Sequence, residues 1–205
     1  MTEKRKVLIT GAAGLIGSIM IEKLSDKYEF SSLDLHEANG LPSTIADLDN
    51  LDAITPAFTE IDTVIHLAAD RSPAGSWESI LKNNFISTYN VFEASKRAGV
   101  KRVIFASSNH AEGGYYLDTP WKHVNDGNFD LLEQDNYELV TEKHMIRPDS
   151  YYGVAKAYGE ALGSYYNDFH GVNSFHLRIG WVLETDDPTF SAYALSLWLS
   201  HRDTV

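Results

Sequence analysis

Tyr152 and Lys156 are the two residues whose types and spacing point most directly to proton transfer. They stand four residues apart in a segment with helical periodicity, so their side chains share one face of the predicted helix. Free tyrosine titrates near ~10 and is a poor base at neutral pH, but a neighbouring ammonium group stabilises the phenolate and is expected to lower the pKa of Tyr152. The pair could then exchange a proton with a substrate hydroxyl or carbonyl.

A serine hydroxyl could complete this pair. Ser107 and Ser108 end the apolar segment 102–106, which is typical of a buried parallel strand. Ligands of open α/β folds bind beyond the carboxyl ends of such strands, so either hydroxyl could orient a substrate oxygen. Tyrosine and lysine four apart are common on any helix, and Tyr151 is a second tyrosine beside the first. The interpretation of this pair as catalytic therefore depends on the other motifs and on their order along the chain.

Glycines recur at every third position after the first predicted strand. Gly11, Gly14 and Gly17 connect the apolar segment 7–10 to a helical segment, 15–24. A backbone that turns sharply and approaches a pyrophosphate leaves no room for side chains, and the amides at the start of the next helix attract negative charge. A tight turn between a strand and a helix would also favour glycine, so the motif alone is weak evidence for a dinucleotide.

Asp34 ends the second predicted strand, where a carboxylate can accept hydrogen bonds from an adenosine ribose. No Arg or Lys adjoins it to neutralise a 2′-phosphate, because Leu35 and His36 follow, so NAD is favoured over NADP. Asp34 could instead be an ordinary turn residue. Asp47 is a further candidate for the adenine side of the site.

Strand-like and helix-like segments alternate along the chain. The strands are predicted at 7–10, 30–35, 63–67, 102–106 and 175–179, and the helices at 15–24, 51–58, 77–98 and 151–169. Such alternation predicts an α/β fold with a doubly wound, Rossmann-like parallel sheet, right-handed crossovers and helices on both faces. We expect the strand at 175–179, like the others, to be buried. Length favours one domain over residues 1–205.

Composition excludes several classes of function. The 205 residues include no cysteine, which rules out disulfides, thiolate metal sites and a cysteine nucleophile, and no metal site is predicted. The formal charge of −12 argues against binding to nucleic acid or an anionic membrane. No apolar segment is long enough for a signal peptide core or a membrane span, so we expect a cytoplasmic protein.

Residues 111–148 interrupt the alternation with a polar, aromatic and acidic segment that includes Trp121, Phe129 and Tyr137. Segments of this length without periodicity are functional loops, lids or locally folded insertions, although a solvated surface excursion would have the same composition.

With these motifs in order, the chain resembles the extended short-chain dehydrogenase/reductase family, also called the NAD-dependent epimerase/dehydratase family. The matching residues are TGAAGLIG at 10–17, Asp34, Asp47, HLAA at 66–69, Asn84, Thr88, Asn90, FASS at 105–108, Tyr152 and Lys156. The resemblance implies that Tyr152 is the acid/base, that Lys156 lowers its pKa and holds the nicotinamide ribose, and that Ser108 positions the reacting oxygen.

The resemblance also implies a set of NAD-binding residues. Those around the pyrophosphate, the adenosine and the middle of the cofactor are Gly11, Ala13, Gly14, Leu15, Ile16, Gly17, Asp34, Leu35, Asp47, Leu48, Leu67, Ala68, Ala69 and Asn84, and Tyr152 and Lys156 complete the set of cofactor-binding residues. Asn84 looks like the family's structural or cofactor-side asparagine, and it could equally be an internal cap of its helix. Family members often dimerise through two long helices, here 77–98 and 151–169, so a homodimer or higher homo-oligomer is expected.

Within the family, FASSNH at 105–110, YGVAK at 152–156, LRIG at 177–180 and WLSHRD at 198–203 look like the uronate dehydrogenases and the related archaeal glucose-6-phosphate dehydrogenases. Members of that branch oxidise C1 of a cyclic sugar to a lactone. The likeness implies that Asn109 and His110 bind substrate, that Arg178 contacts an anionic group, and that Ser72 is a weaker candidate for the same pocket. His110 could instead be a hydrogen-bonded loop histidine.

The leading hypothesis is therefore NAD-dependent oxidation at C1 of a hexose derivative, either a hexuronate or a sugar phosphate. A nucleotide-sugar epimerase or dehydratase is the alternative, although Gly180 and Trp181 stand where such enzymes usually carry an asparagine. A third hypothesis is a regulator that binds NAD without turnover. The chain also ends where relatives continue into a substrate-side region, so it is either a fragment or a short member of the family.

Overall fold

A computed structural model describes residues 4–38, 40–132 and 139–205. Tyr137, noted above, lies outside the described residues. The strands are β1 (Arg5–Thr10), β2 (Tyr28–Asp34), β3 (Ser43–Ile45), β4 (Thr63–His66), β5 (Arg102–Ser108) and β6 (Asn173–Ile179). The α-helices are α1 (Leu15–Leu24), α2 (Leu51–Ile54), α3 (Trp77–Ile80), α4 (Ser87–Ala98), α5 (Trp121–Asn125), α6 (Tyr151–His170) and α7 (Ala192–Leu197).

The six strands form one sheet in the order β3-β2-β1-β4-β5-β6, and all its neighbouring strands are parallel. β1 lies between β2 and β4, and its residues Val7, Leu8 and Ile9 are buried because helices cover both faces. The strand order changes direction between β1 and β4, which is where open α/β sheets bind ligands. The predicted Rossmann-like architecture is confirmed.

The predicted helix 77–98 is continuous but not uniform. α3 leads into a π-helical segment, Leu81–Ile86, and this leads into α4, which ends at Gly99 in the left-handed conformation. π segments change the angular position of the following side chains and occur at functional sites. This one faces the region where β4 ends.

The last strand differs from its prediction. β6 is the edge of the described sheet, and Phe175 and Leu177 are about half exposed on it, at 55% and 49%. An apolar sequence alone does not tell an edge strand from a central one, since only the neighbours decide its burial. β3 was not predicted, because its three residues give too short a pattern.

The 111–148 segment is partly folded. It contains the 3₁₀ turns Gly113–Leu117 and Phe129–Leu131 and the short helix α5. Tyr115 and Trp121 pack edge to face with ring centroids 5.5 Å apart. The described part of the segment is therefore a locally folded insertion, as one of the two readings of the sequence expects. No helix among the described residues is long and apolar enough to cross a membrane.

His66, at the end of β4, gives a prediction for stability. It is buried between Thr10 and Thr88, whose hydroxyls lie 2.7 and 3.1 Å from its ring nitrogens. Burial, with the charge of Lys156, lowers the pKa of His66 to about 3. An unfolded histidine titrates near ~6.5, so between these values the proton binds the unfolded chain alone, and stability falls as the pH drops.

Because of His66, the free energy of unfolding is expected to fall by about 1.3 kcal/mol when the pH is lowered from 7 to 5.5. Urea unfolding at several pH values measures the loss. A His66→Gln variant, whose amide can still bond both threonines, should show a shallower pH slope whatever its absolute stability. The exposed His170→Gln variant is the control; an equal change of slope in both variants would contradict the assignment to His66.

Candidate active site

A cleft of about 1030 Å³ runs along the carboxyl ends of the strands. Its volume is at the upper end of those of ligand sites, which are about 300–1,000 Å³. Most of the predicted site residues line it: Gly11, Ala13, Gly14, Leu15, Ile16, Gly17, Asp34, Leu35, Asp47, Leu48, Leu67, Ala68, Ala69, Ser108, Asn109, His110, Tyr152 and Lys156. Ser72, Asn84 and Arg178 are not among its lining residues.

The glycine turn is closely fitted to the loop after β4. Gly11 has φ +73°, and a Cβ atom there would lie 2.7 Å from the amide nitrogen of Ala68. A Cβ at Gly17 would lie 2.6 Å from the carbonyl oxygen of Ala12. Gly14 is the N-cap of α1 and offers no side chain to its first amides, which leaves them open towards the cleft. The turn thus forms a cradle that suits a pyrophosphate.

Asp34 connects the turn to the end of β2. One carboxylate oxygen accepts a hydrogen bond from the Ala13 amide at 3.0 Å, and the other accepts from the Leu35 amide at 2.7 Å. The carboxylate is therefore fixed at the rim of the cleft, with further acceptor capacity for two ribose hydroxyls. Its negative charge would repel a 2′-phosphate at the same place.

An Asp34→Asn variant should lose discrimination between NAD and NADP. We expect NAD to bind about tenfold more weakly, because a charged acceptor becomes neutral, and NADP to bind more tightly because the repulsion is removed. Titration of both nucleotides against protein fluorescence measures the ratio of the two dissociation constants. Asp49→Asn is the control, since Asp49 pairs with Lys82 and does not line the cleft. An unchanged ratio in Asp34→Asn would contradict the role of the carboxylate.

Asp47 and Asn84 shape the cleft in different ways. Asp47 lines it and forms an ion pair with Lys82 at 2.7 Å, which lowers the pKa of its carboxyl group. Asn84, expected at the cofactor, is instead buried: its amide donates to the Asp70 carbonyl and accepts from the Asp70 amide, both at 2.9 Å. Asn84 therefore holds the loop after β4, and its neighbour Asn83 lines the cleft instead.

Tyr152, Lys156 and Ser108 meet at the other end of the cleft. Ser150 caps α6 by accepting from the Gly153 amide at 3.0 Å, which places Tyr152 in the first turn. The Lys156 ammonium lies 5.3 Å from the centre of the Tyr152 ring and donates to the carbonyl of Ala106 at 2.6 Å. Burial lowers the pKa of Lys156 to about 8.

The structure corrects one expectation about Tyr152. Burial raises the pKa of its phenol, against a hydrogen bond with Ser108 and the charge of Arg71, which lower it. The Lys156 ammonium lies over the ring and is directed at a backbone carbonyl, so it does not contact the hydroxyl. In this state the phenol is protonated at neutral pH, and its use as a base requires additional positive charge at the hydroxyl.

The predicted substrate residues divide into two groups. Asn109 and His110 lie in the 3₁₀ turn after β5, where the Ser108 hydroxyl accepts from the His110 amide at 3.2 Å. The His110 ring packs edge to face on Tyr152, with centroids 5.5 Å apart, and its Nδ1 lies 2.7 Å from a carboxylate oxygen of Asp149. His110 is thus a bonded loop histidine and also a wall of the cleft.

Arg178 and Ser72 differ from their predicted placement. The Arg178 guanidinium forms two hydrogen bonds with Glu160, at 2.9 and 2.7 Å, and a third with Glu112. Two carboxylates therefore already take three of the five guanidinium donors and face the charge that was expected to bind a substrate anion. Ser72 is exposed and donates its amide to the Asp70 carboxylate at 3.0 Å, while Arg71 reaches the cleft.

Sequence reasoning missed the lining residues that come from the C-terminal part of the chain: Ile179, Gly180, Trp181, Val182, Glu184, Tyr193 and Leu197. Trp181 donates its amide to Leu197 and accepts from the Leu199 amide at 3.1 Å, which brings α7 against the end of β6. The only signals in the sequence were the segments 177–180 and 198–203, whose likeness to relatives marked the region without assigning these lining residues.

The chain is similar to known proteins of one family. Residues 7–183 match the NAD dependent epimerase/dehydratase family. L-arabinose 1-dehydrogenase (NAD(P)(+)) of Haloferax volcanii is 38% identical over 206 residues, which cover 97% of this chain and 78% of the relative. NAD-dependent glucose-6-phosphate dehydrogenase of the same organism is 33% identical and covers 96% and 76%.

Among solved structures, the uronate dehydrogenase from Agrobacterium tumefaciens superposes with a TM-score of 0.77 at 30% identity, covering 98% of this chain and 68% of that one. The fold class and NAD as the cofactor, both predicted from sequence, are confirmed. The relatives are NAD(P)-dependent sugar dehydrogenases, which supports an oxidoreductase.

Proposed function

Because the chain belongs to the NAD-dependent epimerase/dehydratase family, we propose that it oxidises C1 of a cyclic sugar to the lactone, with NAD as the hydride acceptor. The observation that carries the proposal is the meeting of Tyr152, Ser108 and Lys156 at one end of a cleft whose other end is the glycine cradle. The sugar dehydrogenases among its relatives favour this reaction over epimerisation. A cytoplasmic location is part of the same proposal.

The residues of the chain divide the work as follows. Ser108 donates a hydrogen bond to the C1 oxygen and keeps it beside the Tyr152 oxygen, whose phenolate form takes the proton as the C1–O bond gains double-bond character. NAD, when bound, supplies the acceptor for the hydride that leaves C1. One proton and one hydride leave the sugar, so a lactone, NADH and a proton on Tyr152 account for all atoms and electrons.

Lys156 has two roles in this scheme. Its buried ammonium lies 5.3 Å from the Tyr152 ring centre and offsets the negative charge of a phenolate in a site of low dielectric. Its charge is fixed in place by the Ala106 carbonyl, which accepts one of its three donors at 2.6 Å. The other donors are free to hold ribose hydroxyls of the cofactor.

Production of NADH tests the proposal. The purified chain is incubated with NAD and a panel of aldoses, hexuronates and hexose phosphates, and the absorbance of NADH is followed. Net NADH with one sugar class and a lactone as product is expected. An epimerase returns its hydride to the sugar, so sugar conversion without NADH would contradict the proposal, as would NAD binding without conversion of any sugar.

We also propose a homodimer formed through the two long helices. Exposed apolar side chains stand on their outer faces: Ile86, Tyr89, Tyr165 and Phe169. Light scattering after gel filtration should give twice the chain mass. A Tyr165→Glu and Phe169→Glu double variant should run as a monomer, because two buried charges oppose association. A monomeric parent protein would contradict this proposal.

A further inference from the structure

The substrate end of the cleft presents neutral hydrogen-bonding groups. The Asn109 amide donates to the Tyr116 hydroxyl at 3.4 Å, and the rings of Tyr116 and Tyr193 meet edge to face with centroids 5.7 Å apart. Burial raises the pKa of Tyr193, and its hydrogen bond with Tyr116 adds to the shift, so the phenol is uncharged at neutral pH. Asn109 and Tyr193 both line the cleft.

A smaller chamber of about 380 Å³ adjoins this end and shares Asn109, Gly180, Tyr193 and Leu197 with the cleft. Aromatic side chains of the insertion, Tyr115, Tyr116 and Trp121, form its wall. The flat apolar faces and polar edges of such rings suit a sugar, which has both C–H faces and hydroxyl groups.

The charged residues that line the chamber are Glu112 and Arg178, and Glu160, which is not part of the lining, pairs with Arg178 as a second carboxylate. Arg178 lies between Glu112 and Glu160, so one positive charge faces two carboxylates. The Ser107 hydroxyl donates to Glu160 as well, and these bonds lower the pKa of the Glu160 carboxyl, which stays ionised. Burial raises the pKa of Glu112, and His144 acts on it from the insertion. A second anion placed here would meet a guanidinium whose charge is already balanced.

Among the described residues, two other cationic side chains line the cleft without an ion pair, Lys156 and Arg71, and Lys156 donates to the Ala106 carbonyl beside Tyr152. His110 is paired with Asp149, and Glu184 adds negative charge at the cleft. Arg71 lines the cleft on the opposite loop but is exposed and adjoins Asp70, so solvent and its neighbour screen it. Because of its position, Arg71 is the alternative binding site for an anionic substrate, and a variant of Arg71 tests this alternative.

We infer that this site selects an uncharged sugar over a hexuronate or a sugar phosphate, and that Tyr193 is a specificity-determining residue that binds a sugar hydroxyl. The inference rests on the proposed C1 oxidation, since it names the substrate class of that site. A neutral phenol and a neutral amide can each donate to and accept from sugar hydroxyls. An anionic sugar would lose its hydration without gaining a free cation at the Glu112, Arg178 and Glu160 cluster.

Binding of matched lactones to the NADH-loaded protein tests the inference independently of turnover. Galactono-1,4-lactone and galactaro-1,4-lactone differ only in CH₂OH against carboxylate at C6, and the corresponding gluco pair provides a second configuration. NADH fluorescence reports their dissociation constants. We expect the uncharged lactone of at least one pair to bind at least tenfold more tightly than its anionic partner. A tenfold ratio of dissociation constants corresponds to a difference of about 1.4 kcal/mol in binding free energy.

Three variants assign the preference to residues. Tyr193→Phe should weaken the uncharged lactone about threefold to tenfold by removing a hydroxyl bond. Glu112→Gln removes one of the two negative charges that pair with Arg178. The anionic lactone should then bind more tightly, and the ratio of the two dissociation constants should fall. Arg71→Gln should leave the ratio of the two dissociation constants unchanged.

Tighter binding of the anionic lactones, or no binding of any uncharged lactone, would overturn the inference. An anionic preference that disappears in Arg71→Gln would assign the anion site to Arg71 instead. A preference for uncharged lactones in a protein that forms no NADH with any sugar would support the inference on the site while the proposed reaction fails, so the two failures are distinguishable.

Discussion

Tyr152→Phe is expected to lower kcat for sugar oxidation by about 10²–10⁴-fold, the usual contribution of a positioned acid/base group. The variant removes one oxygen and keeps the ring, which packs edge to face on His110 with centroids 5.5 Å apart. The cleft and the glycine cradle are unchanged, so the dissociation constant for NAD should stay within about twofold. Initial rates of NADH formation and a nucleotide titration measure the two quantities.

Tyr151→Phe is a matched control for this variant. Tyr151 directly precedes Tyr152 on α6 and is exposed. Its ring packs against Trp77, with the ring centroids 5.4 Å apart. Loss of its hydroxyl should leave kcat unchanged. Equal rates in Tyr152→Phe and the parent protein would remove Tyr152 from the chemistry, whereas a loss of NAD binding would make its role structural.

The rate should also rise with pH in the parent protein. Burial raises the pKa of the Tyr152 phenol, and a base must lose its proton before it can accept one from the sugar. The rise of kcat with pH therefore reports the loss of the proton from the Tyr152 phenol, which is protonated at neutral pH. Lys156, with its pKa lowered to about 8, would lose its charge at higher pH and end this rise.

The cofactor end of the site could be predicted from sequence because it is local. Gly11 has a positive φ, and a Cβ atom there would lie 2.7 Å from the Ala68 amide nitrogen in the loop after β4, so this position excludes most residues. Asp34 binds the amide of Ala13 from the next strand in the sheet, a distance that the βαβ order fixes. The types of these few residues therefore determine the geometry.

The substrate end could not be predicted in the same way, since partners from distant parts of the chain decide it. Arg178 was expected to bind an anion, but Glu112 from the insertion and Glu160 from α6 take its donors. Asn84 was expected to be structural or on the cofactor side, and it holds the loop after β4 from within the π segment, while Asn83 lines the cleft. The 3.6-residue periodicity does not reveal a π segment. Tertiary contacts, not residue types, set these roles.

The same distinction explains the pKa of Tyr152. A spacing of four residues puts Lys156 on the right face of α6, and the structure keeps it there. Sequence spacing does not show that the ammonium is directed at Ala106 or that Tyr152 is partly buried. Burial and nearby charge have opposite effects on a phenol, and the structure decides between them.

Gly153→Ala is expected to have the second-largest effect, because it moves the helix that carries the proposed base. A Cβ atom at Gly153 would overlap the carbonyl oxygen of His110 and lie 3.1 Å from the side chain of Pro148. A backbone carbonyl cannot swing aside as a flexible side chain can, so α6 and the turn after β5 must separate. Tyr152 and Ser108 lie on the two elements that would move apart.

The expected result is a loss of about 1–3 kcal/mol in the free energy of unfolding, typical of overpacking. We also expect a fall of about 10²-fold in kcat, as for a displacement of about 1 Å between reacting groups. Urea unfolding and initial rates measure the two losses, and NAD titration verifies that the variant is folded. Most residues proposed to bind the cofactor, including the glycine cradle and Asp34, lie outside α6 and Lys156 lies on it, so the dissociation constant for NAD should change less than kcat.

Val154→Ala is the matched control, since Val154 is the adjacent residue of α6 and its side chain is exposed. It should cost less than about 0.5 kcal/mol, as surface substitutions usually do, and leave kcat unchanged. If Gly153→Ala lost stability and kept its rate, the fit of α6 against the His110 carbonyl would serve folding alone. If it lost rate and stability together while Val154→Ala lost neither, the close approach at Gly153 would be what holds Tyr152 and Ser108 within reach of one substrate oxygen.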